Sequence, residues 1–165
     1  MLEDLRPQVI AVVSKVFETM FYIFVEPQEV SEDTREDPPP KDEEKMKRPP
    51  AQWIKSEMEF KGKTSGKILL WLPQSLAKTM AVNFLGSKDN EVTDSHIRDV
   101  TGEVTNMIMG NLFSPLAKRS SYVFSLPQTH FLSGSILTGR GPQAACTIDF
   151  DAEGHVFQLQ VQMES

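Results

Sequence analysis

Asp99, Glu103, Asn106 and Gly110 stand four, three and four residues apart, the spacing at which side chains stack along one face of an α-helix. A carboxylate accepts charge-assisted hydrogen bonds, and a carboxamide offers both a donor and an acceptor. Ile97, Val100, Val104, Met107 and Ile108 share one broad arc of the same helix, and the Asp-Glu-Asn-Gly stripe lies roughly 130° from its centre. The arc faces a core; the stripe faces outward. A solvated helix face is the plain explanation of such a stripe, and spacing alone does not choose between that and a contact surface. Two details favour contact. The stripe lacks the Lys or Arg partners that usually lace an exposed helix. Gly110 costs a helix about 1 kcal/mol relative to alanine, which suggests the close approach of another backbone.

The elements around this helix can be read from pattern. Leu5, Val9, Val12, Val13, Val16, Met20, Ile23 and Phe24 recur at spacings of three and four, predicting an amphipathic helix over residues 5–24. Ile54, Met58 and Phe60 alternate with charged residues. Residues 62–66 form a turn, and Ile68 to Leu72 make an unbroken apolar run, so the pair reads as a hairpin whose second strand is central and covered on both faces. Pro73 ends that strand and opens a helix through Leu85, with Gly86 as its stop. Thr93 or Asp94 caps the helix of the stripe, which runs to about Ser114, where Pro115 kinks it or starts a further turn. Residues 122–126 read as a strand ended by Pro127. Residues 146–150 pair with 156–163 across a turn at 151–154. In the last strand Phe157, Leu159, Val161 and Met163 face a core, and Gln158, Gln160 and Gln162 face solvent.

The string Asp99-Val100-Thr101-Gly102-Glu103-Val104-Thr105-Asn106 resembles the signature of the CheX branch of the CheC/CheX/FliY chemotaxis family: Asp or Ser, three residues, Glu, two residues, Asn. Val16 to Met20 and Phe124-Ser125-Leu126-Pro127 are similar to further family segments, so the resemblance spans nearly the whole chain. It implies an α/β fold with an antiparallel or mixed sheet flanked by helices. It also implies a phosphatase that hydrolyses the phosphoaspartate of a CheY-like response regulator. On that likeness Asn106 orients the attacking water, and Glu103 pairs with the receiver's active-site lysine. Asp99 either supports the docking face or only favours the helix N-terminus, and Gly110 belongs to the binding stripe. The receiver brings its own Mg²⁺, so no cofactor of the chain's own is expected. The likeness further suggests a homodimer built through sheet edges. A noncatalytic receiver-binding or flagellar-switch-associated module on the same fold is the main rival reading.

Composition bounds what else the chain could do. With 165 residues and 39% apolar content, it can bury one sizeable core, so a single domain over 1–165 is expected. A formal net charge of −6 argues against binding nucleic acid. Cys146 is the one cysteine, which excludes an internal disulfide and a thiolate metal cluster and fits a cytoplasmic protein. Lys15 and Glu18 interrupt the first apolar stretch, which argues against membrane insertion. His96, His130 and His155 are scattered, and no nucleotide-binding loop, metalloprotease or hydrolase motif is present. Residues 31–50 hold seven acidic and five basic residues and five prolines, and read as an exposed loop. The glycine-rich segment 133–141 has no helix pattern after it and reads as a loop between strands, not a phosphate cradle.

Overall fold

The structure, a computed structural model, describes residues 5–28, 52–117, 121–133 and 144–164. The loop expected at 31–50 and most of the glycine-rich segment lie outside the described residues. Helix α1 (Leu5–Phe21) buries Val9, Val13, Val16, Phe17 and Phe21. It stops three residues before the apolar spacing does, because Tyr22 takes a left-handed φ of 57°. Its N–H bonds Glu18 O at 3.2 Å, and the Ile23 N–H bonds Phe17 O at 3.3 Å, closing the helix end. Residues 25–27 then pair as strand β1 (Val25–Pro27), which the sequence pattern did not suggest.

The expected hairpin is present as β2 (Gln52–Lys61) and β3 (Gly66–Pro73), paired antiparallel. Helix α2 (Gln74–Leu85) follows β3 directly and ends at Gly86, whose φ is 64°. After a short 3₁₀ turn (Asp89–Glu91), helix α3 (Asp94–Ala117) carries the Asp-Glu-Asn-Gly stripe, with Pro115 inside its last turn. Strands β4 (Val123–Phe124), β5 (Gln128–Ser133), β6 (Ala144–Ala152) and β7 (His155–Met163) complete one antiparallel sheet in the order β1-β6-β7-β3-β2-β4, with β5 also on β2. The sheet is therefore antiparallel and not mixed. Strand β3 sits centrally between β7 and β2, as its continuous apolar run required.

One sheet face meets the helices. Ile54, Met58, Phe60, Ile68, Leu70, Leu72, Ile148, Phe150, Phe157, Leu159 and Val161 are buried there in one cluster with the apolar arcs of α1, α2 and α3. Phe17 stacks on Phe157 at 4.8 Å, and Phe157 on Phe150 at 5.1 Å. The other face is less wet than the alternation predicts, because Gln158 and Gln160 are only 8% and 4% exposed. Their amides satisfy one another along the strand. Gln158 Nε2 donates to Asp149 Oδ1 at 2.8 Å, and Gln160 Nε2 donates to Gln158 Oε1 at 2.9 Å.

Residues 122–126 are not one strand ended by Pro127. Strand β4 pairs Phe60 with Phe124, and β5 pairs Glu57 with Gln128, so the edge carries one residue more than β2 between those pairs. Proline has no N–H for the ladder, and the extra residue is accommodated around it as a bulge. Ser125 holds the bulge from its N-terminal side. Its N–H bonds Glu59 O at 2.9 Å, and its Oγ accepts the Glu59 N–H at 2.9 Å.

Candidate active site

Helix α3 is fixed at several points along its length, and each fixes the rotation of the stripe. At its start Thr93 Oγ1 accepts the His96 N–H at 3.2 Å, and His96 Nδ1 accepts the Thr93 N–H at 3.2 Å. This is a reciprocal cap with histidine in the place usually held by Glu or Gln, and it puts the ring proton on Nε2. One turn on, the Arg98 guanidinium lies 4.9 Å from the Phe131 ring centroid on β5. In the buried middle Thr105 Oγ1 lies 2.7 Å from Ser56 Oγ on β2 and 2.8 Å from Thr101 O. A hydroxyl has one proton, so Ser56 donates to Thr105, and Thr105 donates to the Thr101 carbonyl. Toward the end Phe113 meets the rings of Phe60, Tyr122 and Phe124 at 4.6, 4.9 and 5.6 Å.

At Gly102 the helix packs against the edge bulge. That glycine is buried, and a Cβ there would come 3.3 Å from Pro127 Cγ in the edge bulge. At Gly110, where the sequence suggested a neighbouring backbone, a Cβ would meet nothing within 4 Å among the described residues. Within the described residues the packed glycine of α3 is Gly102, and what it meets is a proline ring and not a backbone. Gly102 could have been singled out as a second glycine inside the same helix, but only Pro127, distant in sequence, shows which one is packed.

Asp99, Glu103, Asn106 and Gly110 are all exposed, as the wheel predicted. Among the described residues Asp99, Glu103 and Asn106 make no side-chain hydrogen bond or ion pair. Arg98, the cation next to Asp99, is turned onto Phe131. Asp94 occupies the first helical turn, and Asp99 lies just beyond it. It lines, with Glu103, a groove of about 260 Å³ whose other walls are Phe84, Leu85, His96 and Val100. The groove was not legible in the sequence, because half of it comes from the end of α2. The three histidines lie on α3, β5 and β7, and no group of three or more His, Cys, Asp or Glu among the described residues could hold a metal ion. No helix among them is long and apolar enough to cross a membrane.

Helix α3 thus presents an exposed carboxylate and, three residues on, an exposed carboxamide, neither with a side-chain partner among the described residues. A family model described as chemotaxis phosphatase CheX matches residues 55–151, more than half of the chain and the whole of the stripe. The chain belongs to the CheX family. Solved CheX structures share its fold. The chemotaxis protein CheX of Vibrio vulnificus is 17% identical over 99% of both chains, with a TM-score of 0.73. CheX in a CheX-CheY-BeF3-Mg complex from Borrelia burgdorferi is 16% identical, covering 98% of this chain and 99% of that one, with a TM-score of 0.65. FliY of Thermotoga maritima is more distant, at 14% identity, 94% and 84% coverage and a TM-score of 0.56. No curated protein matches by sequence.

Proposed function

We propose that this CheX-family chain accelerates hydrolysis of the phosphoaspartate on a CheY-like response regulator, with Asn106 and Glu103 entering the receiver's active site. The observation that carries the reading is the state of those two side chains. They are adjacent, exposed and, among the described residues, unpartnered on a helix held from both sides of the sequence, by Ser56 before it and Pro127 after it. A solved relative bound to CheY supports the choice of partner.

Phosphoryl transfer through a loose transition state asks for positioning and charge stabilisation more than for a nucleophile from this chain. The Asn106 amide oxygen accepts a hydrogen bond from the attacking water, and its NH₂ donates to a phosphoryl oxygen. The water oxygen bonds to phosphorus, and the bond from phosphorus to the aspartyl oxygen breaks. The aspartate leaves as a carboxylate, and inorganic phosphate carries away the water's oxygen. Glu103 accepts from the receiver's lysine and fixes the register between the two proteins. Mg²⁺ held by the receiver would supply charge neutralisation at the phosphoryl oxygens. On this reading the metal belongs to the receiver, and Asn106 and Glu103 act beside it.

The test follows loss of acyl phosphate from a phosphorylated CheY-like receiver with Mg²⁺. Asn106→Ala should lower the accelerated rate by on the order of 10²-fold, the scale of losing a positioning group. Asn106→Asp should fail as well, since it removes the donor end. If wild type binds the receiver and leaves its phosphate lifetime unchanged, the chain is an interaction module and the catalytic assignment falls.

The same reading includes a cytoplasmic homodimer joined through sheet edges. Val123 and Leu126 on the β4-β5 edge are 70% and 84% exposed, which suits such an edge. Light scattering that returned the mass of one chain would remove the dimer without touching the stripe.

A further inference from the structure

The groove beside the stripe has two unlike walls. Phe84 and Leu85 close α2 and are 45% and 42% exposed, two consecutive large apolar side chains at a helix end facing water. Phe84 rests one edge on Phe21, with ring centroids 6.0 Å apart, which holds it at the rim. Across from them α3 offers Val100 at the floor and Asp99 and Glu103 at the lip, with His96 at one end. Neither carboxylate has a cation among the described residues. Single exposed apolar residues need no explanation. Here, however, two of them share a groove with Glu103, which also belongs to the stripe.

That shared residue makes the groove continuous with the surface on which the receiver is proposed to sit. A domain large enough to cover Glu103 and Asn106 covers the groove as well, and desolvates Phe84 and Leu85. An anionic lip over an apolar floor selects a side chain of opposite character.

We propose that the receiver seats an apolar side chain flanked by a Lys or Arg in the groove between the end of α2 and α3, anchored by Phe84 and Leu85 with Asp99 taking the cation. This rests on the phosphatase reading and extends it. Asn106 and Glu103 act on the receiver's reacting centre, whereas the groove sets how tightly, and which, receivers are held. Asp99 is accordingly a docking residue one turn from the chemistry.

The experiment titrates the chain with a CheY-like receiver carrying beryllofluoride and Mg²⁺, then follows acyl phosphate loss across receiver concentrations. Phe84→Ala, Leu85→Lys and Asp99→Lys should each raise Kd by about tenfold or more. In turnover their loss should appear as a higher half-saturating receiver concentration, and that of Asn106→Ala as a lower maximal rate. Phe84→Ala could loosen the contact with Phe21, so Leu85→Lys, at an exposed position, carries the test if the first variant melts early. Wild-type Kd for Leu85→Lys and Asp99→Lys, alongside weakened binding by Glu103→Ala, would overturn the groove and leave the phosphatase reading standing. Wild-type binding by Glu103→Ala together with wild-type hydrolysis by Asn106→Ala would overturn that reading, and the groove with it.

Discussion

Ser56 Oγ and Thr105 Oγ1 lie 2.7 Å apart in the buried space between β2 and α3, one residue before the exposed Asn106. Removing the two partners should have unequal effects. Thr105→Val strands the Ser56 hydroxyl in the core and should cost about 1–3 kcal/mol, whereas Ser56→Ala leaves Thr105 bonded to Thr101 O and should cost about 1 kcal/mol or less. The double variant should lose less than the sum of the singles. A double-mutant cycle by urea unfolding measures this, and additivity would show that the two hydroxyls are not coupled.

The two glycines of α3 should respond in opposite directions to alanine. At Gly110 the space is open, so Gly110→Ala should stabilise the chain by about 0.5–1 kcal/mol. If the stripe docks a receiver, the same variant should weaken that binding. At Gly102 an added Cβ would stand 3.3 Å from Pro127 Cγ, tighter than ordinary contact, and the bulge around that proline is tied to Glu59 by Ser125. Gly102→Ala should therefore destabilise, by about 1 kcal/mol or more, as overpacking does. Equal gains from both substitutions would refute the close approach.

Glu57 lies between Lys67 at 3.1 Å and Lys55 at 3.4 Å on the sheet face away from the helices. Partial burial pushes its carboxyl up, but the hydrogen bond and charge of Lys67, with Lys55, outweigh it and hold the group below the ordinary value of 4.5. A carboxyl depressed in the folded state contributes stability that is complete above that ordinary value and is lost as pH falls through the folded one. Glu57→Gln should lower stability slightly at neutral pH and flatten the acid limb of the stability curve. Thermal unfolding at intervals from pH 7 downward reads this directly, and parallel acid limbs would count against it.

Burial pushes the Cys146 thiol up from its ordinary 9.0, with the Arg6 charge opposing only in part. The folded chain then keeps its proton where the unfolded chain has lost it, so this contribution is complete below 9.0 and is lost as pH rises from there through the higher folded value. Alkylation by iodoacetamide at pH 8 should be slow in buffer and speed up several-fold in denaturing urea. Equal rates would mean an accessible thiolate.

The parts legible in the sequence are those whose cues are local. The hairpin of β2 and β3, the turn into β7 and the Gly86 stop each announce themselves within a few residues. Helix α1 was read too long because Ile23 and Phe24 continue the apolar spacing past the stop, and a tyrosine gives no sign that it will turn left-handed. Strand β5 was missed because Gln128, His130 and Phe131 on an edge show no clean alternation. The stripe was legible as an outward face, since three and four residue spacing is enough for that. Which glycine is packed, and what stands across the groove from Asp99, depend on Pro127 and Phe84, and no window along α3 contains them.

Glu103 and Asn106 carry no side-chain partner among the described residues, so the described fold does not draw on their identities. Selection on foldability is blind to them, so exchanging either should leave expression and thermal resistance intact. One codon step exchanges either side chain while every clamp on α3 persists. Scaffolds of this kind can drift between enzyme and adaptor without passing through an unfolded ancestor, and the record of that history would be confined to one exposed face of one helix.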